Sequence, residues 1–252
     1  MTKQASKPNV ISKTLEVIRA FTDHQKEWGV NELARFLDVP VSTLHRILKI
    51  LRGENILEVS SETGKYKIGA EMIRMSSIIS SKVDIKNVAR PFMKKLSNMV
   101  NESVYLALYH PQHKKMSLID SVHSSNNALQ YVLELGVLQP IYFAASGKVI
   151  LAFLGQEEID SVFQAEGVSE EDQVKIRKEI AMIREQAYAF TINERKIGAL
   201  GISAPIFDAS QKVIGSLFCV VPVKNFDESK KDFFVRHVKE EAKNISNLLG
   251  FR

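Results

Sequence analysis

Residues 32–51 constrain the fold more than any other segment, because they hold the parts of a helix-turn-helix in the required order. Two helices that cross steeply need a small residue at the crossing and a turn between them that tolerates positive φ. Ala34 supplies the small residue, and Asp38 stands in the turn, where Asp tolerates the left-handed region better than most residues. The second helix must fill the crevice with an apolar stripe, which is formed by Leu44, Ile47, Leu48 and Leu51.

The flanking segments extend this motif to a winged helix-turn-helix over residues 1–70. We expect a first helix with Ser12 as its N-cap and a short second helix capped by Asn31. The third helix is predicted at about residues 42–52. Residues 56–59 and 65–68 are predicted to be strands around a Ser-Glu-Thr-Gly turn, and this hairpin has the spacing of a wing.

The polar face of the third helix predicts contact with DNA in the major groove. Arg46 is our candidate for a bidentate contact to guanine, while Ser42 and Thr43 suit phosphate. The full set of predicted DNA-binding residues, including two wing lysines, is Ser42, Thr43, His45, Arg46, Lys49, Arg52, Lys65 and Lys67. The alternative is an amphipathic helix with a solvated basic face, and the adjacent hairpin argues against it.

The charge distribution agrees with a basic N-terminal segment. Residues 1–90 carry 15 Lys and Arg against 10 Asp and Glu, and the remaining residues carry 19 of each, so the net charge of +5 lies entirely in the first third. A positive surplus is the sign expected of a segment that meets phosphates.

The rest of the chain predicts a linker helix over residues 71–84 and a larger domain over residues 85–252. The linker helix is too apolar to be solvated on all sides, so we expect a packing partner for it, such as a second subunit. Helices and strands mix in the larger domain, which gives an α+β fold with a largely antiparallel sheet. Its strands are predicted at residues 104–109, 116–122, 128–133, 198–206 and 213–221, and its helices at 85–100, 146–154, 157–164, 170–186 and 229–249.

Other chemistry finds little support in the sequence. Cys219 is the only cysteine and lies in an apolar run, so it is predicted to be a core residue rather than a nucleophile. His110 and His113 flank a predicted turn, and we expect neither a metal site nor a cofactor. The apolar runs are too short to cross a bilayer and the N-terminus lacks a secretory signal, so a cytoplasmic location is expected.

Several segments resemble the IclR family of bacterial transcriptional regulators, in order along nearly the whole chain. They are residues 41–48 (VSTLHRIL), 64–69 (GKYKIG), 144–152 (AASGKVILA), 204–208 (APIFD) and 245–250 (ISNLLG). The resemblance implies a winged helix that dimerises, a linker helix and a C-terminal GAF/PAS-like α/β effector domain. It also implies a small-molecule effector and a palindromic double-stranded DNA operator, bound by homodimers that are often paired into tetramers.

Matching by motif places the effector site at Ala145, Ser146, Thr191, Ala199, Gly201, Phe218 and Val220. In relatives these positions often carry acidic, Ser or Cys side chains that hold small organic acids. Several of those polar groups are absent here, and a carboxylate buried without donors is strongly disfavoured. We therefore expect a less polar or larger effector, or one bound differently, with Ser146, helix-start N–H groups and Lys148 left to hold one anionic group.

The predicted function is a sequence-specific DNA-binding transcriptional regulator, a repressor, whose operator binding is modulated by a small-molecule effector of carbon catabolism. The first alternative is an enzyme whose N-terminal module only mediates assembly, although the sequence offers no catalytic constellation. The second is an architectural DNA-binding protein without an effector, which the size of the C-terminal domain argues against.

Overall fold

The computed structural model describes residues 10–82, 84–124, 132–195 and 198–252. Its contacts divide the chain into two compact units, Met1–Val83 and Asp84–Arg252. The predicted linker helix groups with the first unit. Each unit is described by itself below.

The N-terminal unit is a three-helix core with a small sheet and one further helix. Its elements are α1 (Val10–Asp23), β1 (Glu27–Trp28), α2 (Val30–Phe36), α3 (Val41–Gly53), β2 (Leu57–Val59), β3 (Tyr66–Ile68) and α4 (Ala70–Lys82). The three strands are antiparallel in the order β1-β3-β2. The pairing of β2 with β3 forms the predicted hairpin.

Apolar spacing explains how α2 and α3 pack. The four predicted stripe residues of α3 are all buried, as is Ala34 on α2. Asp38 in the turn has φ +50°, the left-handed conformation predicted for it. The Trp28 indole is buried in the same core and donates a hydrogen bond to the Ala20 carbonyl at 3.0 Å.

Two predicted helix starts in this unit are wrong. Helix α1 begins at Val10 rather than after Ser12. Helix α2 is capped at Gly29 rather than Asn31, because the Glu32 carboxylate turns back to accept the Gly29 N–H at 3.3 Å. Strand β1 was not predicted, since two residues are too short to show a periodicity.

Helix α4 carries apolar side chains that its own chain leaves exposed. Ile73, Met75 and Ile78 are 61, 42 and 40% exposed. The packing partner expected for this helix therefore stays a prediction.

The C-terminal unit has three layers, with helices on both faces of a six-stranded antiparallel sheet. Its order is β6-β5-β4-β9-β8-β7. The strands are β4 (Ser103–His110), β5 (Lys115–Val122), β6 (Leu138–Pro140), β7 (Ala189–Ile192), β8 (Ala199–Phe207) and β9 (Val213–Pro222). The helices are α5 (Ile85–Val100), α6 (Ala144–Leu151), α7 (Gln156–Glu166), α8 (Glu170–Gln186) and α9 (Lys231–Leu248).

Strand alternation builds a separate core on each face of this sheet. Tyr105 and Phe218 point to the face covered by α6, α7 and α8. Leu106 and Cys219, their sequence neighbours, point to the face covered by α5 and α9. Because both faces are covered, the central strands are apolar on both sides, which explains their continuous apolar runs.

Most predicted elements of this unit agree with the structure, with a few corrections. Helix α5 has its predicted bounds, and the Asp84 carboxylate caps it by accepting the Lys86 N–H at 2.9 Å. Met93 lies on the buried face of this helix, whereas Met99 is 37% exposed.

The remaining differences concern element bounds. Of the strand predicted at residues 128–133, only residues 132 and 133 are among the described residues, and neither lies in a strand. Strands β6 and β7 were not predicted, being short. Helix α6 occupies residues 144–151 rather than 146–154, and α9 begins at Lys231 rather than Ser229.

Candidate DNA interface and ligand cavity

Helix α3 presents its polar residues to solvent beside the wing. Ser42, His45, Arg46, Lys49 and Arg52 are exposed. Together with Tyr66 of β3, these five residues line one groove, which we call the α3 groove. Thr43 is half-buried. Tyr66 was missed by the sequence analysis, although its place within the predicted wing strand is a signal for it.

The cations of the α3 groove lack ion-pair partners within the part of the chain that the structure describes. Arg46, Lys49 and Arg52 have no ion pair there, whereas Lys65, Lys67 and Arg74 of the same unit are each paired with a Glu. An unpaired cationic face beside a wing can accept phosphates without first breaking internal ion pairs.

The two wing lysines are already paired with carboxylates. Lys65 Nζ lies 3.2 Å from Glu32 Oε2, and Lys67 Nζ lies 3.2 Å from Glu58 Oε1. Both lysine side chains are more than 40% exposed. Such surface pairs are weak, so a phosphate can replace either carboxylate.

Glu32 connects the start of α2 to the wing. Its carboxylate accepts hydrogen bonds from Gln25 Nε2 at 2.9 Å, from the Gly29 N–H and from Lys65 Nζ. These hydrogen bonds, with that of Gln25 the largest contribution, lower the pKa of Glu32. The carboxylate therefore helps to fix the wing beside the helix-turn-helix.

In the C-terminal unit, a small cavity lies between the first turn of α6 and the sheet; we call it the α6 cavity. Strand pairing places Thr191 opposite Gly201 and Gly201 opposite Val220, in one row across β7, β8 and β9. A Cβ on Gly201 would lie 3.2 Å from the Ala145 Cβ, so the missing side chain keeps this space open. The lining residues are Leu133, Ala144, Ala145, Ser146, Thr191, Glu194, Arg195, Ala199, Leu200, Gly201, Phe218 and Val220.

All seven positions predicted for the effector site lie around this one cavity. That they bind an effector stays a prediction. The cavity volume is about 30 Å³, on the scale of one water molecule, whereas sites for small organic ligands usually enclose about 300–1,000 Å³. A ligand must therefore displace side chains to enter.

Two backbone donors at the start of α6, where we expected an anion to bind, are engaged within the chain. The Ala144 N–H donates to Glu194 Oε2 at 2.8 Å, and the Ala145 N–H donates to Thr191 Oγ1 at 3.0 Å. Ala144 adopts φ +59°, a costly conformation for a residue with a Cβ. The anion site at this helix start is thus occupied by the carboxylate of Glu194.

Lys148 was also expected to hold an anionic group, but its charge is engaged within the chain. Its side chain is only 8% exposed and lies 2.5 Å from Glu179 and 2.8 Å from Glu194. It does not line the cavity, so its charge serves to join α6, α8 and the loop after β7.

The structure instead brings Arg195 to the cavity, which the sequence analysis missed. Its guanidinium lies 4.9 Å from the centre of the Phe143 ring, and Nη1 donates to Gln139 Oε1. Burial lowers the pKa of Arg195 to about 10, so the side chain is still charged at neutral pH. The sequence signal for Arg195 was the polar run Asn-Glu-Arg, which begins two residues after the predicted site residue Thr191.

Other candidate chemistry has structural explanations. Cys219 is fully buried, and burial raises the pKa of its thiol, as expected for a core residue. His110 Nε2 lies 2.8 Å from Ser117 Oγ. No group of three His, Cys, Asp or Glu side chains able to hold a metal occurs among the described residues. Likewise, none of the described helices is long and apolar enough to span a membrane.

A winged helix whose basic face lacks ion-pair partners among the described residues, joined to a three-layer α/β domain, is the architecture of a DNA-binding transcriptional regulator. Family comparison identifies the member of this class. The model of the IclR helix-turn-helix domain matches residues 10–61, and that of the bacterial transcriptional regulator IclR C-terminal domain matches residues 78–247. The chain belongs to the IclR family of bacterial transcriptional regulators, which sets aside the enzyme alternative.

Individual relatives match this chain over nearly its whole length. The chain is 21% identical to the HTH-type transcriptional regulator XynR of Escherichia coli, over 96% of this chain and 97% of XynR. An IclR-type regulator from Silicibacter sp. superposes with a TM-score of 0.80 at 22% identity, covering 97% of both chains. An IclR homologue from Microbacterium hydrocarbonoxydans, crystallised with 4-hydroxybenzoate, gives a TM-score of 0.57 at 22% identity over 96% of this chain and 99% of that one.

Proposed function

We propose that this protein binds a palindromic operator as a homodimer, with α3 of each protomer in the major groove. The observation that carries the proposal is the α3 groove, where three unpaired cations stand beside the wing among the described residues. A helix of 13 residues is about 20 Å long, enough to follow several base pairs along the groove.

The residues of this interface take different roles in the proposal. Arg46 contacts a guanine edge, because a guanidinium matches its two acceptors. Ser42 and Thr43 bind phosphate at the start of α3, while His45, Lys49 and Arg52 contact the backbone or bases further along. Lys65 and Lys67 exchange their weak ion pairs for phosphates, so these wing contacts contribute less than those of α3.

The C-terminal unit supplies the control. We infer that an effector enters the α6 cavity, contacts the seven predicted residues and shifts the protein between states of different operator affinity. The effector-bound Microbacterium homologue supports this, since it has the same fold. A coupling free energy of about 1–3 kcal/mol changes occupancy about 5- to 150-fold.

The mode of regulation follows as a further part of the proposal. The protein acts in the cytoplasm, where the operator is, as a repressor of catabolic genes. The exposed apolar residues of α4 supply a dimer contact, and two dimers pair on one operator.

The test begins with selection of bound fragments from a random-sequence DNA duplex library by the full chain. A palindromic consensus is expected, and the absence of any enriched sequence would refute the proposal. Arg46→Ala should weaken binding to the selected site by about 1–3 kcal/mol and relax one base position in a repeated selection. Lys49→Ala should weaken binding to all sequences and reduce the salt slope by about 1.

Arg236→Ala is the matched control, since it removes the same charge from an exposed position on α9. It should leave affinity and consensus unchanged. Equal losses in Arg46→Ala and Arg236→Ala would show that only total charge matters and would contradict base contact by Arg46.

A further inference from the structure

The wall of the α6 cavity contains a cation whose hydrogen-bonding capacity is incompletely used. Arg195 Nη1 donates to Gln139, and the guanidinium stacks near Phe143. Arg195 Nη2, by contrast, is buried and has no hydrogen-bond partner among the described residues. A buried charged donor without an acceptor is costly, so folding leaves this group ready for an incoming acceptor.

The neighbouring carboxylate does not fill this role, although it is adjacent in sequence. Glu194 accepts the Ala144 N–H and lies 2.8 Å from Lys148 Nζ. Lys148 in turn is shared with Glu179. Glu194 is therefore committed to the start of α6, and Arg195 is left with a neutral amide oxygen and an aromatic ring.

Most of the other lining residues of the cavity are apolar, the exceptions being Ser146, Thr191 and Glu194. Phe218 and Val220 form part of its sheet side and are almost fully buried, as is Leu200. Such a wall suits hydrocarbon, because polar groups placed against it would lose hydration without new partners. The cavity wall thus combines the Arg195 cation with an apolar surface.

We propose that Arg195 binds a carboxylate of the effector, while the apolar body of the same molecule packs against Phe218 and Val220. This rests on the proposed function only in taking the α6 cavity as the effector site. A monoanion fits better than a phosphate, because Lys148 is already paired with Glu179 and Glu194, which leaves the single charge of Arg195 for the ligand. This differs from the expectation that one anionic group is held at the start of α6, since the anion is bound from the loop after β7 instead.

The experiment compares acids with their uncharged amides by isothermal titration calorimetry on the full chain. The probe pairs are propionate with propionamide, benzoate with benzamide, and phenylacetate with phenylacetamide. In the wild type, at least one acid should bind 10- to 100-fold more tightly than its amide, the range expected for a charge-assisted hydrogen bond. Gly201→Val, which fills the cavity, should abolish binding of both members of that pair.

Three variants separate charge from packing. Arg195→Met keeps the side-chain length and should lower acid affinity at least tenfold while amide affinity changes less than about threefold. Arg195→Lys should keep part of the preference for the acid, and Arg236→Met, on α9, should keep all of it. Equal affinity for acid and amide, no binding across the series, or parallel loss of acid and amide in Arg195→Met would each overturn the inference.

A DNA-binding assay on the same samples keeps this inference separate from the proposed function. Without ligand, Arg195→Met should bind the selected operator as the wild type does. If the wild type selects an operator but binds acid and amide equally well, only the role of Arg195 is refuted. Acid preference in a protein that selects no operator refutes only the proposed function.

Discussion

Replacing Lys148 with Met should destabilise the C-terminal unit, because it removes the cation that joins three elements around the α6 cavity. The ammonium lies 2.5 Å from Glu179 on α8 and 2.8 Å from Glu194 after β7. Met keeps most of the aliphatic side chain, so packing against α6 changes little. The variant therefore isolates the charge.

The size of the effect follows from the exposure of the three groups. Each hydrogen bond to a charged group contributes about 1.5–3 kcal/mol before opposing effects are counted. Lys148 is only 8% exposed, so its desolvation opposes folding, and removing it relieves that cost. The carboxylates are 43 and 30% exposed and regain water in the variant. We expect a net loss of about 1–2 kcal/mol, or roughly 2–8 °C in Tm for a unit of this size.

Thermal unfolding of the full chain followed by far-UV circular dichroism measures this loss. Trp28, the only tryptophan, lies in the N-terminal unit, so its fluorescence identifies the transition of that unit. Lys175→Met is the matched control, since Lys175 is 60% exposed and pairs with Glu171 on the surface of α8. It should cost less than about 0.5 kcal/mol.

The reasoning is refuted if Lys148→Met and Lys175→Met cost the same. It is also refuted if Lys148→Met shifts only the transition reported by Trp28. A double-mutant cycle with Glu179→Gln should give a coupling energy of about 1 kcal/mol if the bridge to α8 stabilises the fold.

Three further predictions concern stability and reactivity. Gly69→Ala should destabilise the N-terminal unit by about 1–3 kcal/mol, because its Cβ would lie 2.3 Å from the Asn55 carbonyl oxygen. Gly53→Ala is the control: its Cβ would have no atom within 4 Å, so the temperature of the Trp28 transition should stay the same or rise. Cys219 should react with a thiol reagent only as fast as the C-terminal unit opens, so labelling of the native protein at the rate of a free thiol would contradict its burial. Burial acts to lower the pKa of Lys148, but its two carboxylate partners raise that pKa overall above 10.5. The stability that Lys148 contributes should therefore be constant near neutral pH and decline as pH rises through the alkaline range. Unfolding of wild type and Lys148→Met at several pH values would test this.

Local patterns in the sequence were sufficient for the helix-turn-helix. The apolar stripe of α3, the small Ala34 and the turn at Asp38 depend on interactions within about twenty residues, so periodicity and turn chemistry predict them. The same holds for the bounds of α8, predicted at residues 170–186 and observed as Glu170–Gln186. Short elements such as β1 and β7 were not predicted, because they have too few residues to show a hydrophobic periodicity.

The seven predicted effector positions came from family resemblance, and only the tertiary structure shows that they surround one cavity. The positions of the charged side chains around that cavity depend on contacts between residues far apart in the chain. Arg195 meets Gln139 across 56 positions in the chain, and Glu194 meets Lys148 across 46. No local periodicity records such pairs, because strand order and loop path determine which side chains meet. The sequence thus determined the basic recognition helix, while the fold decided which cation is committed to the structure and which remains available to a ligand.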